Sequence, residues 1–415
     1  MSRRPLWMDW LALGALSAGQ LGLALRVIRR WLPGAGGQRL TALSLPYADA
    51  ITTRAGVAVL VPVLNERERL APCLEGLLAQ GPEVGLILVI DGGSEDGTDK
   101  LVSTYARRDR RLRLLSAAPI PDGWNGKVWG LETGWRALPP TFPWVLTIDA
   151  DVRPRPGLVR ALLACAQRAR LAAISLATLQ ELPPAPLLGL LHPSLLATFV
   201  YRYGLPGAVY EGPVHRLHVQ ANGQCFLVQR EALAACGGFA PLRHSLCEDI
   251  TLARLLVQDG RRLAFVEGGS LASVEMYRTA REAWQNWTRS LPLHDHLSPV
   301  WHTCLGWLEV LLVQALPLPL LCLLVGALIA RRRRGRQASP WLLVAMLGLN
   351  TGLLLLRLGA LVGMRRAYHR PPWTYWLSPL CDLAVTLQLG RQALRRRHRW
   401  RGRLIIRGNA PGGIA

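Results

Sequence analysis

The run Phe142-Pro-Trp-Val-Leu-Thr-Ile-Asp-Ala-Asp-Val152 constrains this chain more than any other stretch. Val145, Leu146, Thr147 and Ile148 are apolar and rich in β-branched residues, so they read as a buried strand of a parallel sheet. The strand ends on Asp149 and Asp151. Ligands of open α/β sheets gather outside the carboxyl ends of strands, which is where these two acids fall. Separated by one small residue, they can converge on a divalent cation such as Mg²⁺ or Mn²⁺, since hard cations take carboxylate oxygen. A strand-to-loop cap is the other reading, because Asp is common in turns for its own backbone bonding.

A chain of 415 residues has room for about two to three domains. Its formal charge of +22 suggests nucleic acid, but the distribution argues against that partner. The densest basic runs, Arg331-Arg-Arg-Arg-Gly-Arg336 and residues 391–403, each adjoin long apolar stretches. That is the pattern of membrane-flanking segments attracted to anionic lipid headgroups. Lysine occurs only at Lys100 and Lys127, which draws attention to the setting of Lys127. The eight cysteines form no Cys-x-x-Cys and no Cys/His ligand spacing, so neither a zinc site nor a disulfide framework is indicated.

Residues 10–25 are almost wholly apolar and are followed by Arg26, Arg29 and Arg30. No small-residue cleavage site precedes Arg29, so the segment reads as a retained anchor over 6–28 rather than a signal peptide. It belongs to an amino-terminal membrane unit, 1–31, with Asp9 near its outer end, and 32–54 is a Gly/Pro-containing linker. A soluble domain follows over 55–298. It opens with the strand Val57-Ala-Val-Leu-Val-Pro-Val63, then Asn65 and Glu66. A helix carrying Leu70, Leu74, Leu77 and Leu78 on one face comes next. A second strand, Leu86-Ile-Leu-Val-Ile-Asp91, enters Gly92-Gly-Ser-Glu-Asp-Gly-Thr98, whose glycines permit a tight turn beside a ligand. With a third strand at 111–115, these units repeat as strand and helix, the signature of a doubly wound nucleotide-binding fold. No Gly-x-Gly-x-x-Gly or Walker sequence is present, which argues against dinucleotide and ATP sites.

Asn125-Gly-Lys127 opens a helix, where an ammonium and free backbone N–H groups could meet a diphosphate; an exposed loop lysine is the alternative. Residues 187–205 are apolar but carry His192, Pro193 and Arg202, and fit either a helix lying in the membrane interface or a buried core helix. Leu246-Cys-Glu-Asp249 sets two acids at a helix start, where the dipole stabilises negative charge. A cap explains one of Glu248 and Asp249 more readily than both.

The order of these motifs resembles the processive and lipid-directed family 2 inverting glycosyltransferases. It runs Pro62 with Asn65 and Glu66, Asp91 with Ser94 and Asp96, Gly126-Lys127, Asp149-Ala-Asp151, Gly238-Phe239, Glu248-Asp249, and Gln285 with Arg289. The chain is most like the hopanoid-biosynthesis-associated members, relatives of ceramide glucosyltransferase. The resemblance implies an α/β, GT-A-like domain with a mostly parallel sheet, flanked by transmembrane helices. Its donor would be a nucleotide-diphosphate sugar, with Asp91 facing the base and Lys127 the diphosphate. Asp149 and Asp151 would serve the ribose and a metal-bound diphosphate. Asp249 would be the general base, paired with Glu248, and Gln285, Trp287 and Arg289 would close the site. Two positions depart from the pattern: Gly92 stands where many relatives carry a second acid, and Gln285-Asn-Trp-Thr-Arg289 replaces Gln-x-x-Arg-Trp.

Residues 301–330, 341–362 and 373–390 are three further membrane candidates within a carboxyl-terminal unit, 299–392, followed by a basic tail, 393–415. The implied setting is a bacterial-type cytoplasmic membrane with the catalytic domain in the cytosol, where nucleotide sugars are found. Three simple spans would send both arginine clusters outside, against the positive-inside rule. Either 301–330 re-enters at Pro317 and Pro319, or one later segment lies in the interface. The apolar helices would lead a lipid acceptor to the site. A non-catalytic scaffold and a polysaccharide synthase are the competing functions.

Overall fold

The computed structural model describes residues 6–35, 56–291, 295, 297–333, 341–395, 397–400 and 403–406. Most of the expected linker, from residue 36 to 54, lies outside the described residues. Helix α1 (Leu6–Ala35) comes first. There follow β1 (Val57–Val63), α2 (Leu70–Leu78), β2 (Val84–Asp91), α3 (Thr98–Ala106), β3 (Leu112–Ser116), α4 (Gly126–Ala137) and β4 (Trp144–Ile148). The second half runs β5 (Val152–Pro154), α5 (Leu158–Arg168), β6 (Ala173–Ala177), β7 (Leu179–Gln180), α6 (Pro186–Tyr203) and β8 (Val209–Tyr210). It continues through β9 (Cys225–Gln229), α7 (Arg230–Ala235), α8 (Glu248–Gln258), β10 (Leu263–Glu267), β11 (Ala272–Val274) and α9 (Ala280–Ser290).

The main sheet has the order β3-β2-β1-β4-β9-β6-β10-β8. Its first four strands are parallel, β9 runs antiparallel between β4 and β6, and β10 is parallel to β6. Strand β1 explains the apolar run that announced it, because alternate residues serve opposite faces. Val57, Val59 and Val61 pack with Leu74, Val102 and Leu162 from α2, α3 and α5. Ala58 and Leu60 pack with Leu131 and Leu256 from α4 and α8. Both faces are covered, so the strand carries no polar side. Val63 pairs with Asp91 and Leu60 with Thr147, so β1, β2 and β4 end along one edge of the sheet. This is the expected α/β, GT-A-like architecture.

Beyond the α/β domain, α10 (Val300–Glu309) continues into a π-helical turn, Val310–Ala315, and then α11 (Pro317–Arg333). Helix α12 (Trp341–Met364), a 3₁₀ segment (Trp373–Cys381), α13 (Asp382–Leu394) and a hairpin of β12 (Arg397–Trp400) and β13 (Arg403–Ile406) complete the chain. Among the described residues, Leu11–Leu32 and Trp341–Ala367 are long and apolar enough to cross a membrane. Val300–Ala315 and Pro317–Arg333 would add a third crossing if taken as one helix bent by 47°.

Residues 373–390, expected as a third carboxyl-terminal span, are instead a 3₁₀ segment followed by a helix of 13 residues. The reason is polar: Asp382, 1% exposed, receives Arg357 Nε at 2.7 Å and Gln314 Nε2 at 3.0 Å. A buried carboxylate at this point ties α13 to its neighbours instead of facing lipid. Helix α6 is buried over most of its length, between one cluster that includes Val27 and Leu361 and another that includes Val385 and Leu389. A helix apolar all round belongs inside, and the buried-core reading of 187–205 holds.

Candidate active site

The aligned ends of β1 and β2 deliver two loops that are tied to each other. Asn65 adopts φ 55°, a left-handed conformation that Asn tolerates better than most residues. Its N–H donates to Ser94 Oγ at 2.8 Å, and its Oδ1 accepts from Glu95 N at 2.9 Å. Glu66 N donates to Thr98 Oγ1 and Arg67 N to Asp96 Oδ2, each at 3.0 Å. Asp91 is buried, and Ser94 Oγ donates to its Oδ1 at 2.6 Å. Its carboxylate thereby shapes the loop, while the neighbouring Gly92, with Pro62, Ile90 and Ile120, lines a side cavity of about 490 Å³.

Strand β4 and helix α8 bring the acids together. Lys127, in the first turn of α4, extends Nζ to 2.6 Å from Asp149 Oδ1 and 2.7 Å from Glu248 Oε1. Burial opposes its charge, but Asp149 and then Glu248 outweigh that and hold the ammonium protonated. The lysine expected at a diphosphate thus stands between the end of β4 and the start of α8. Asp249 Oδ2 accepts from Gly223 N at 2.6 Å and Oδ1 from Ile250 N at 2.8 Å. Burial and then Glu248 push its pKa up to about 7. Gly223 was not singled out from the sequence, since a backbone donor leaves no side-chain signature. A Cβ there would come within 3.1 Å of both Lys127 Nζ and Glu248 Oε1, so a side chain would push both charged tips aside by a few tenths of an ångström.

Asp151 carries a carboxylate oxygen that no protein group satisfies. Its Oδ1 is buried without a hydrogen-bond partner, and burial followed by Asp149 and Glu66 raises its pKa to about 7. Among the described residues no three His, Cys, Asp or Glu side chains converge with metal-holding geometry. That combination fits a cation held by one or two carboxylates and otherwise by substrate phosphate and water.

Helix α9 forms the facing wall of a cleft of about 1160 Å³ that takes in Asp149, Asp151, Glu248 and Asp249. Trp287 and Arg289 line it, as does Asn286, whereas Gln285 is exposed and outside the lining. Trp287 packs at a tilt against His192 of α6, with ring centroids 4.5 Å apart. Away from the acids the cleft is walled by Leu196, Phe199 and Val200 of α6 and reaches Met364 and Arg366 at the end of α12. Sequence reading missed this junction, because it depends on α6 being buried between the two halves.

The profile described as glycosyltransferase like family 2 matches residues 54–290, more than half of the chain. The chain belongs to glycosyltransferase family 2. It is therefore an enzyme that transfers a sugar from a nucleotide-sugar donor. No curated protein matches this glycosyltransferase. Among solved structures it is similar to the mannosyltransferase PcManGT from Pyrobaculum calidifontis in complex with GDP-Man and Mn²⁺. That pair shares 18% identity and a TM-score of 0.49, covering 91% of this chain and 99% of that one. Glucosyl-3-phosphoglycerate synthase from Mycobacterium tuberculosis is similar at 19% identity and a TM-score of 0.38, covering 61% and 82%. TarS from S. aureus follows at 12% identity and 0.39, covering 62% of this chain and 43% of that one. The family match, not these distant likenesses, classifies the chain.

Proposed function

We propose that this glycosyltransferase moves a sugar from a nucleotide-diphosphate donor to a hydroxyl of a membrane lipid, with inversion at the anomeric carbon. The observation that carries the lipid half is the cleft itself. It runs from Asp249 past Leu196, Phe199 and Val200 to Met364, so an apolar molecule can reach the acids from the end of a membrane helix. A hopanoid or sphingolipid-like acceptor, rigid or long-chained with one reactive hydroxyl, suits that shape. A growing polysaccharide would meet an apolar wall instead.

The donor half is the edge formed by Pro62, Asn65, Glu66, Asp91, Lys127, Asp149 and Asp151. Asp149 and Asp151 would hold a divalent cation, Mg²⁺ or Mn²⁺, which supplies charge neutralisation to a diphosphate leaving group. Asp91 acts through Ser94 to shape the loop that receives the nucleoside. Lys127 keeps Asp149 and Glu248 together across the cleft. Asp249 takes the proton of the acceptor hydroxyl as its oxygen attacks from the face opposite the diphosphate. Gly223 N–H and Ile250 N–H fix the carboxylate for that task, each oxygen keeping a further lone pair for the hydroxyl. Trp287 and Arg289 cover the reacting centre. Gln285, exposed on α9, has a part in closure only if that helix turns.

The division into anchor 1–31, catalytic domain 55–298, membrane helices 299–392 and basic tail 393–415 suits this work, with the catalytic domain in the cytosol. Arg26, Arg30, Arg365 and Arg366 gather at the end of the membrane helices nearest the cleft, which supports that orientation. The test is purified enzyme offered a panel of nucleotide sugars with total membrane lipid and Mn²⁺ or Mg²⁺, with products read by mass. A glycolipid with stoichiometric nucleoside diphosphate is the expected outcome. Polymer, or free sugar alone, would overturn the reading.

A further inference from the structure

The cleft presents several cationic side chains, and most already have fixed work. Lys127 Nζ is committed between Asp149 and Glu248 at 2.6 and 2.7 Å. Arg67 Nη1 donates to the Asp96 carbonyl at 3.2 Å and thereby ties the two donor loops. Arg366 belongs to the membrane end of the cleft, far along the chain from the donor loops. Arg69 differs. It stands at the foot of α2, two residues after the loop at the end of β1, and lines the cleft with Asp149 and Asp151.

Its partner is Glu282 of α9, with Arg69 Nη2 3.2 Å from Glu282 Oε1 and both side chains about a quarter exposed. One long contact between partly exposed groups is a weak, exchangeable ion pair. Glu282 does not depend on it: its Oε2 accepts from Arg278 N at 3.0 Å, and its own N–H donates to Thr279 Oγ1 at 3.1 Å. If Arg69 left, Glu282 would stay hydrogen-bonded and partly hydrated. A planar guanidinium with a replaceable carboxylate partner is suited to a diphosphate, which it meets with two parallel N–H donors.

Building on the donor reading above, we propose that Arg69 is a donor-binding residue, resting on Glu282 and transferring its guanidinium to the diphosphate when a nucleotide sugar enters. The transfer also releases the donor loop from α9, so occupancy of the donor site is felt by the helix that carries Trp287 and Arg289. No bond is made or broken; one charge-assisted hydrogen-bond set replaces another.

Calorimetry of UDP and of GDP in Mn²⁺ on full-length protein in detergent distinguishes this from a static clasp. Arg69→Met should weaken the nucleotide that binds by about tenfold or more, the scale of one charge-assisted hydrogen bond. Arg69→Lys should recover part of it. Glu282→Gln should bind as tightly as wild type or more tightly, since the competing carboxylate is gone. If Arg69→Met and Glu282→Gln weaken binding equally, or neither changes it by more than about twofold, the pair is structural and the proposal is overturned. Should wild type itself bind neither nucleotide, the donor reading fails, and this assignment with it.

Discussion

A carboxylate that accepts two backbone hydrogen bonds and whose pKa is nonetheless pushed up to about 7 suits the proposed role of proton acceptor. The pKa of Asp249 is raised because burial and the adjacent Glu248 outweigh the Lys127 ammonium and the hydrogen bonds from Ile250 N and Gly223 N. Asn at this position keeps one of the two backbone hydrogen bonds through Oδ1, while its Nδ2 cannot accept the other. It cannot take a proton. Asp249→Asn should therefore lower the melting temperature modestly, reflecting the cost of about 1–3 kcal/mol for one unmet N–H, and leave nucleotide binding nearly unchanged, while transfer in single-turnover assays falls by about a hundredfold or more. A near-wild-type rate would move the base elsewhere, with Glu248 first in line. Glu248→Gln removes the neighbouring charge that raises Asp249, so the acid limb of its rate profile should move to lower pH than in wild type. The working form of a base lies above its pKa, which is why that limb falls as pH drops through about 7.

At the scale of elements, legibility followed burial. Strands β1, β2 and β4 were readable because both faces are covered, which leaves a continuous apolar run ended by Asn, Asp or Gly. Helix α8 announced itself by its two opening acids. Helix α9 was half legible: Trp287 and Arg289 reach the cleft, but Gln285 does not, because which side chains face inward depends on how the helix is rotated. The Arg69–Glu282 pair joins residues 213 positions apart and carried no local signal. Helix α6 was ambiguous for a related reason, since an apolar stretch looks alike whether lipid or protein covers it. Its packing is testable at Gly189, where a Cβ would collide with the Pro372 ring and Thr374 Oγ1. Alanine gains about 1 kcal/mol of helix propensity but overpacks the contact by about 1–3 kcal/mol. Gly189→Ala should therefore lower the melting temperature in detergent. Gly352→Ala in α12 should not, because nothing lies within 4 Å of its Cβ position. Equal melting temperatures for the two variants would mean that α6 does not dock on the 3₁₀ segment as described.

Across the whole molecule, polar contacts join α1, the carboxyl-terminal helices and the α/β domain. Glu309, 2% exposed, accepts from Arg30 Nη1 at 2.9 Å and Arg26 Nε at 3.0 Å, so α1 and α10 meet at the level of the cleft. Gln20 Nε2 reaches Asn350 Oδ1 and the Leu312 carbonyl at 3.0 Å each, which binds α1 to α12 and to the π-helical turn. The end of α12 returns to the catalytic domain, where His369 N donates to the Gln180 carbonyl at 3.1 Å. If 300–333 is one bent crossing and α13 is too short to make another, Arg391 and Arg395 fall at that same end and the cluster beginning at Arg331 at the other. On that topology the charge conflict of three simple spans is reduced to one cluster, which suits the proposed cytosolic orientation of the catalytic domain. In intact cells, a membrane-impermeant maleimide should modify Arg333→Cys in a cysteine-free background. Arg110→Cys, on the catalytic domain, should react only after the membrane is opened. Ready labelling at position 110 with protection at 333 would invert the orientation and set the donor site on the face of the membrane that nucleotide sugars do not reach.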